Sequence, residues 1–257
     1  MMMSLDRLQR AIGMLRPHQL RLRHDVCPLC RFAWHVRLRD EEMGVRCLRC
    51  GASAVTQSLV DVLQQLPLNL AQTRAYELSA QGPLVKFLRR RCRNLTLSEF
   101  FPGVAAGEWV DGVRCEDVQV LSHADASFGL CTATEVFEHV EDDARGMAEV
   151  HRVLRPGGWF VFTVPLDLSQ ATVERTVLEN GQRRNLLPPE YHADRYRGAQ
   201  VFCYRNYGAD IVDRLRAVGF ASAEIRRPRA QLFGHARAVV CAQKALSPRP
   251  TQGSSTS

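Results

Sequence analysis

The sequence predicts an α/β domain built on a mostly parallel sheet, preceded by a small metal-binding module. Three observations carry this. From about residue 71, short apolar runs alternate with helical patterns, the texture of strands joined by crossover helices. Residues 128–166 spell out one complete strand–loop–helix–turn–strand unit. Upstream, Cys27, Cys30, Cys47 and Cys50 form two CxxC pairs separated by residues 31–46.

Composition agrees with a globular chain. With 257 residues, 46% hydrophobic and 24% charged, it excludes disorder, collagen and coiled coil as the main architecture. The formal charge is +7. Residues 1–50 hold ten Arg against five acids, so most of the excess lies there. A basic segment points to nucleic acid. Only Lys86 and Lys244 are lysines, however, which points equally to compositional bias. The first residues lack an apolar stretch behind a basic one, and the longest strongly apolar run is Trp159 to Leu166. A spanning helix needs about twenty residues. The expectation is a soluble, cytoplasmic protein with no membrane partner.

The elements follow in order. Leu5, Leu8, Ile12 and Leu15 recur at helical spacing, so residues 1–23 read as a basic helix. Residues 24–52 read as a zinc ribbon. A CxxC turn presents two thiolates on one side, a second closes a tetrahedral site, and this separation is the one read as zinc. Four thiolates leave no open position, so the zinc is expected to be structural. The stretch Arg31–Leu38 fits one strand, with Val45–Cys47 leading back. Residues 53–70 read as a connecting helix ended by Pro67, residues 71–245 as the α/β domain, and residues 246–257 as a disordered tail. The other five cysteines, Cys92, Cys115, Cys131, Cys203 and Cys241, are scattered singly and suit packed reduced thiols.

Within the main domain, Phe128–Thr134 reads as a buried strand ending in Glu135. Acids at 141–143 suit a helix N-terminus. Met147, Val150, Val153 and Leu154 follow at helical spacing, and Pro156-Gly157-Gly158 stops the helix. Trp159–Val164 is a near-continuous apolar strand, as expected when helices cover both faces. Ligands of such sheets bind at the carboxyl ends of strands.

The pattern Phe-x-Leu-x-x-x-x-Glu135-Val-Phe-Glu-His139-Val, followed by Val153-Leu-Arg-Pro-Gly-Gly158 and a strand, resembles class I S-adenosylmethionine-dependent methyltransferases of the broad type 11 group. The resemblance spans roughly residues 72–243. It implies a Rossmann-like seven-stranded, mostly parallel sheet with helices on both faces and a last antiparallel strand. Residues 219–225 and 237–243 are expected to form the closing pair. It also implies a cofactor site in which Glu77 ends the first strand, Gly82 remains of the usual glycine-rich turn, and Glu99 holds the ribose hydroxyls. Asp117 and Val118 flank the adenine, and Glu135 stands at the methyl-transfer point. Ser79 and Ala80 replace the other glycines. A nicotinamide enzyme is disfavoured, because no G-x-G-x-x-G follows a predicted strand.

Methyl transfer needs no general acid, since the leaving group is a neutral thioether; a hydroxyl acceptor needs a base. His139, just after the fourth strand, and His192, in the polar insert 186–196, are the candidates. The sequence favours S-adenosylmethionine-dependent methylation of a small-molecule or glycan-like acceptor at oxygen. One alternative is an RNA or protein methyltransferase that grips its substrate through the basic zinc module. The other is a non-catalytic methyltransferase-like binding protein, suggested by the depleted cofactor turn.

Overall fold

The computed structural model describes residues 17–193 and 200–247. Most of the expected basic helix, and all but two residues of the expected tail, lie outside these. The described part of the first segment is not helical. A 3-10 turn, Pro17–Gln19, leads into strand β1 (Arg21–His24), which pairs antiparallel with β2 (Trp34–Arg37). Strand β2 pairs with β3 (Val45–Cys47), so a small three-stranded sheet that begins at Arg21 carries the four cysteines.

Helix α1 (Ala54–Leu63) starts where the Ser53 side chain accepts from the Thr56 amide. It ends earlier than expected, its last turn closed by the Gln64 amide on Val60 O. The residue before a proline resists helical backbone, so the helix unwinds ahead of Leu66-Pro67. Every residue of α1 except Asp61 is buried, because the metal module covers one side and the sheet the other.

The sheet domain follows: β4 (Arg74–Glu77), α2 (Pro83–Arg91), β5 (Asn94–Leu97), the small hairpin β6 (Trp109–Val110) and β7 (Val113–Arg114), β8 (Phe128–Thr134), α3 (Asp143–Val153) and β9 (Leu154–Thr163). Short strands β10 (Leu166–Asp167) and β11 (Val173–Glu174) pair with β16 (Arg205–Gly208). Two hairpins lie between them in sequence, β12 (Thr176–Glu179) with β13 (Gln182–Asn185), and β14 (Tyr191–Ala193) with β15 (Gln200–Phe202). Helix α4 (Ile211–Ala217), β17 (Ser222–Arg226) and β18 (Val239–Gln243) finish the domain.

The main sheet runs β5-β4-β8-β9-β18-β17. Strands β5, β4, β8 and β9 are parallel, and β18 is antiparallel to both its neighbours, as expected of the closing pair. It has six strands rather than seven. Beyond β5 the expected outer strand shrinks to one parallel bridge between Glu99 and Cys115. The β6–β7 hairpin has already taken Val113 and Arg114, so little chain is left to pair.

Strand alternation divides the core between the two faces. Cys131, Ala133, Phe160, Phe162, Val240 and Ala242 face α3 and α4. Leu130, Trp159, Val161, Val239 and Cys241 face α1, α2 and the module's Cys27 and Cys47. The module therefore shares a core with the sheet. No helix among the described residues is long and apolar enough to cross a membrane.

Candidate active site

Strand β4 delivers Glu77 to the carboxyl end of the sheet, where it is almost fully buried. Thr132 on the adjacent strand β8 donates its hydroxyl to Glu77 Oε2. Burial pushes the Glu77 carboxyl up to about 8, with the neighbouring Glu99 adding to the rise and Thr132 opposing it. The following turn is anchored by the Leu78 amide on Thr132 O. It reaches α2 with one left-handed residue, Gly82 at φ 103, where the helix begins with Pro83. Ser79 and Ala80 keep ordinary negative φ, so the missing glycines cost this turn no backbone strain.

Glu99 follows β5 and is half-buried, its backbone locked to Arg114 and Glu116. The adjoining acids divide their work. Glu116 is buried and accepts from Arg114 Nε (2.6 Å) and from the Ser122 amide (2.8 Å). Asp117 is half-buried and its Oδ1 accepts from the Gln119 amide at 2.9 Å, closing a turn. Val118 packs into the core, against the backbone of Gly146 on α3.

Glu135 ends β8 with a positive φ of 53, a strained conformation for a residue with a Cβ. Its Oε2 accepts from Arg237 Nη2 at 3.2 Å, while Oε1 is buried without a partner among the described residues. Burial raises this carboxyl to about 7; Glu138 adds to the rise and Arg237 opposes it. Arg237 also holds Glu42 of the metal module at 2.7 Å. The module thus reaches the same end of the sheet as Glu135.

The two candidate bases, 53 positions apart, are neighbours, with their rings 5.0 Å apart in an edge-to-face arrangement. Cys203, buried, joins them: its Sγ lies 3.8 Å from His139 Nδ1. Nearby thiol and carboxyl charge raises both imidazoles. His192 reaches about 10 through Cys203 and Glu138, and His139 rises although burial works against it. Sequence reasoning missed both Cys203 and Glu138 here: nothing local marks Cys203, and Glu138 stands in the Glu135–Val140 motif with no role that spacing assigns. A further sequence feature is explained by packing. At Gly129 on β8, a Cβ would meet the Arg155 guanidinium at 2.9 Å.

The four cysteines converge as expected. Cys27 and Cys50 sulfurs are 3.7 Å apart, Cys30 and Cys47 sulfurs 3.5 Å, and all four lie within 4.8 Å of one another. Thiolates about 2.3 Å from a tetrahedral ion stand roughly 3.8 Å apart, so the set fits such an ion. Each knuckle closes on a left-handed residue, Arg31 (φ 63) and Gly51 (φ 74), whose amides bond back to Cys27 O and Cys47 O.

Against known proteins, residues 50–162 match the Methyltransf_11 family model, described as a methyltransferase domain. The match takes in less than half of the chain. The chain is 19% identical to an S-adenosylmethionine-dependent methyltransferase structure from Mesorhizobium loti, with a TM-score of 0.48, covering 71% of this chain and 96% of that one. It is 23% identical to the Burkholderia thailandensis 1,6-didemethyltoxoflavin-N1-methyltransferase, with a TM-score of 0.41, covering 67% and 71%. A curated relative, an uncharacterized 37.1 kDa protein in transposon TN4556 of Streptomyces fradiae, is 31% identical over 106 residues. The match takes in 41% of this chain and 27% of that relative, so the chain spans about a quarter of its length.

Proposed function

We propose that this chain transfers the methyl group of S-adenosylmethionine to a hydroxyl oxygen of a small-molecule or glycan-like acceptor. The observation that supports this most is the row of carboxylates Glu77, Glu99, Asp117 and Glu135 along one end of the sheet, in the order the family uses. In this reading Glu77 and the Gly82 turn receive the methionine part, and Glu99 accepts the ribose hydroxyls. Asp117 and Val118 border the adenine. The cofactor supplies an electrophilic methyl group; the protein aligns the acceptor oxygen in line and excludes water. Glu135 takes the acceptor proton, being a carboxylate of pKa about 7 with one oxygen unpartnered among the described residues. His139 and His192 wall the acceptor side. They do not take the proton, because one nitrogen of each is held by Phe202 O (2.8 Å) or Glu190 (3.2 Å) and the other faces Glu138.

The four-cysteine set, in the same reading, holds a structural Zn²⁺, and Cys30→Ser removes one equivalent of zinc from the purified protein. One observation favours an RNA or protein acceptor instead. Glu42 brings the arginine-rich module to the Arg237–Glu135 pair, so a macromolecule on the module would lie beside the transfer point. Its signature is substrate binding that weakens steeply with salt.

Calorimetric titration with S-adenosylmethionine is the deciding experiment. We expect binding, and Glu99→Ala weakens it by about tenfold or more, the worth of hydrogen bonds to a charged group. Undetectable binding at millimolar cofactor leaves the non-catalytic reading, and unchanged affinity in Glu99→Ala removes the ribose role.

A further inference from the structure

Glu138 is 1% exposed, yet neither carboxylate oxygen has a hydrogen-bond partner among the described residues. A buried carboxylate without donors is costly unless a cation neutralises it. The groups that face it are metal-ligating. His139 Nε2 lies 3.7 Å from Glu138 Oε1, and His192 Nδ1 lies 3.8 Å from the same oxygen. Ligand atoms of His139, His192 and Cys203 all fall within 4.8 Å of one another.

The outer contacts are those of ligands held in place. A metal-bound imidazole presents one nitrogen inward and gives its other N–H to a carbonyl or carboxylate. His139 Nδ1 meets Phe202 O at 2.8 Å with Cys203 Sγ 3.8 Å from the same nitrogen, which leaves Nε2 toward Glu138, and His192 Nε2 meets Glu190 Oε1 at 3.2 Å. The backbone fixes the remaining parts. The Tyr204 amide donates to Glu138 O at 2.8 Å, and the Cys203 amide donates to Glu190 O at 2.9 Å. Two segments distant in sequence, the turn after Glu135 and the β14–β15 hairpin, are thereby tied around one point.

We propose that His139, His192 and Cys203, completed by the Glu138 carboxylate, form a second divalent-cation site, separate from the four cysteines and suited to Zn²⁺. Two imidazoles, a thiolate and a carboxylate are a mixed N, S and O donor set that zinc accepts, and their formal charge of −2 balances a divalent ion. Its position gives it a task. The ion joins the turn just after Glu135 to the β14–β15 hairpin, and so clamps the insert over the acceptor side of the sheet.

The test uses the full-length chain, stripped of metal under reducing conditions and titrated with Zn²⁺ alone. The parent chain binds one more equivalent than either Cys203→Ser or His192→Ala, while the far-ultraviolet dichroism of all three is the same. Glu138→Gln, isosteric and uncharged, keeps the fold and weakens the second equivalent roughly 10–100-fold, as loss of a supporting group does at metal sites. With Co²⁺ in place of Zn²⁺, thiolate-to-metal absorption is lower in Cys203→Ser than in the parent. Equal stoichiometry in parent and variants, with Co²⁺ spectra that match, overturns the site and leaves an imidazolium–thiolate–carboxylate cluster. The count of equivalents lost is independent of methyl transfer, so failure of the catalytic reading and failure of this site are separate results.

Discussion

Glu77 couples protonation to folding through burial. In the unfolded chain its carboxyl titrates near 4.5, whereas in the folded state it holds its proton to about 8. Between these values the folded protein binds a proton that the unfolded chain has lost. The stability from this residue is therefore full below about 4.5 and is lost as pH rises through about 8. Glu77→Gln, which keeps an acceptor for Thr132 but cannot ionise, is expected to match the parent at pH 5 and to melt at a higher temperature at pH 9; equal melting at both would contradict the burial effect. Glu135 sets a second expectation. In the proposed reaction, a base of pKa about 7 makes the methylation rate climb between roughly pH 6 and 8. Glu135→Gln should remove that limb and lower kcat by about 100-fold or more, the usual worth of a positioned base. A pH–rate profile of the variant that keeps the limb would assign the proton elsewhere.

Helix α1 is an element with almost no solvent face, and its polar residues carry the joint with the metal module. Gln57 is buried, with Oε1 2.9 Å from His35 Nε2 and Nε2 donating to Ala52 O at 3.1 Å. Gln57→Ala strands the buried His35 nitrogen, and we expect a loss of about 1–3 kcal/mol in denaturant unfolding. A change below about 0.5 kcal/mol would mean that the joint is apolar in its energetics. At this scale the sequence was a good guide wherever the information was local. The strand 128–134, the helix after the acids at 141–143 and the two knuckles all follow from spacing within about twenty residues, while the closing antiparallel pair follows from the family resemblance. The end of α1 was less legible, because the unwinding begins ahead of the proline. The lost outer strand was not legible at all. It depends on whether Val113 and Arg114 pair locally with Trp109 and Val110 or with the strand beside them, and either pairing satisfies the same residues. The His139–His192–Cys203 grouping was hidden for a related reason. Its members share no period or motif, and only the fold brings residue 203 to residue 139.

Across the whole molecule, the module and the sheet share one core and are expected to unfold as one body. Leu59 and Leu63 of α1 pack in one cluster with Cys27, Cys47, Leu130 and Val161. With the proposed zinc bound, a chelator is then expected to shift a single calorimetric transition downward, by more than the few degrees that 1 kcal/mol gives a domain of this size. Two separated transitions would show that the module folds on its own. The ion pairs outside that core, Asp61 of α1 to Arg229 at 2.6 Å and Asp40 of the module to His235 at 2.9 Å, lie at the surface and contribute little beside it.

Strand β18 lies between β9 and β17 although both precede it in the chain. During synthesis, therefore, β9 waits with an open edge flanked by Phe160 and Phe162 until residues 239–243 arrive. An unpaired apolar edge is a template for the wrong partner. A chain interrupted between β17 and β18 would carry the metal knuckles, the carboxylate row and all four parallel strands β5, β4, β8 and β9, and still be unable to close its sheet. Its fate in a cell would be decided by how soon a chaperone or a protease reached it.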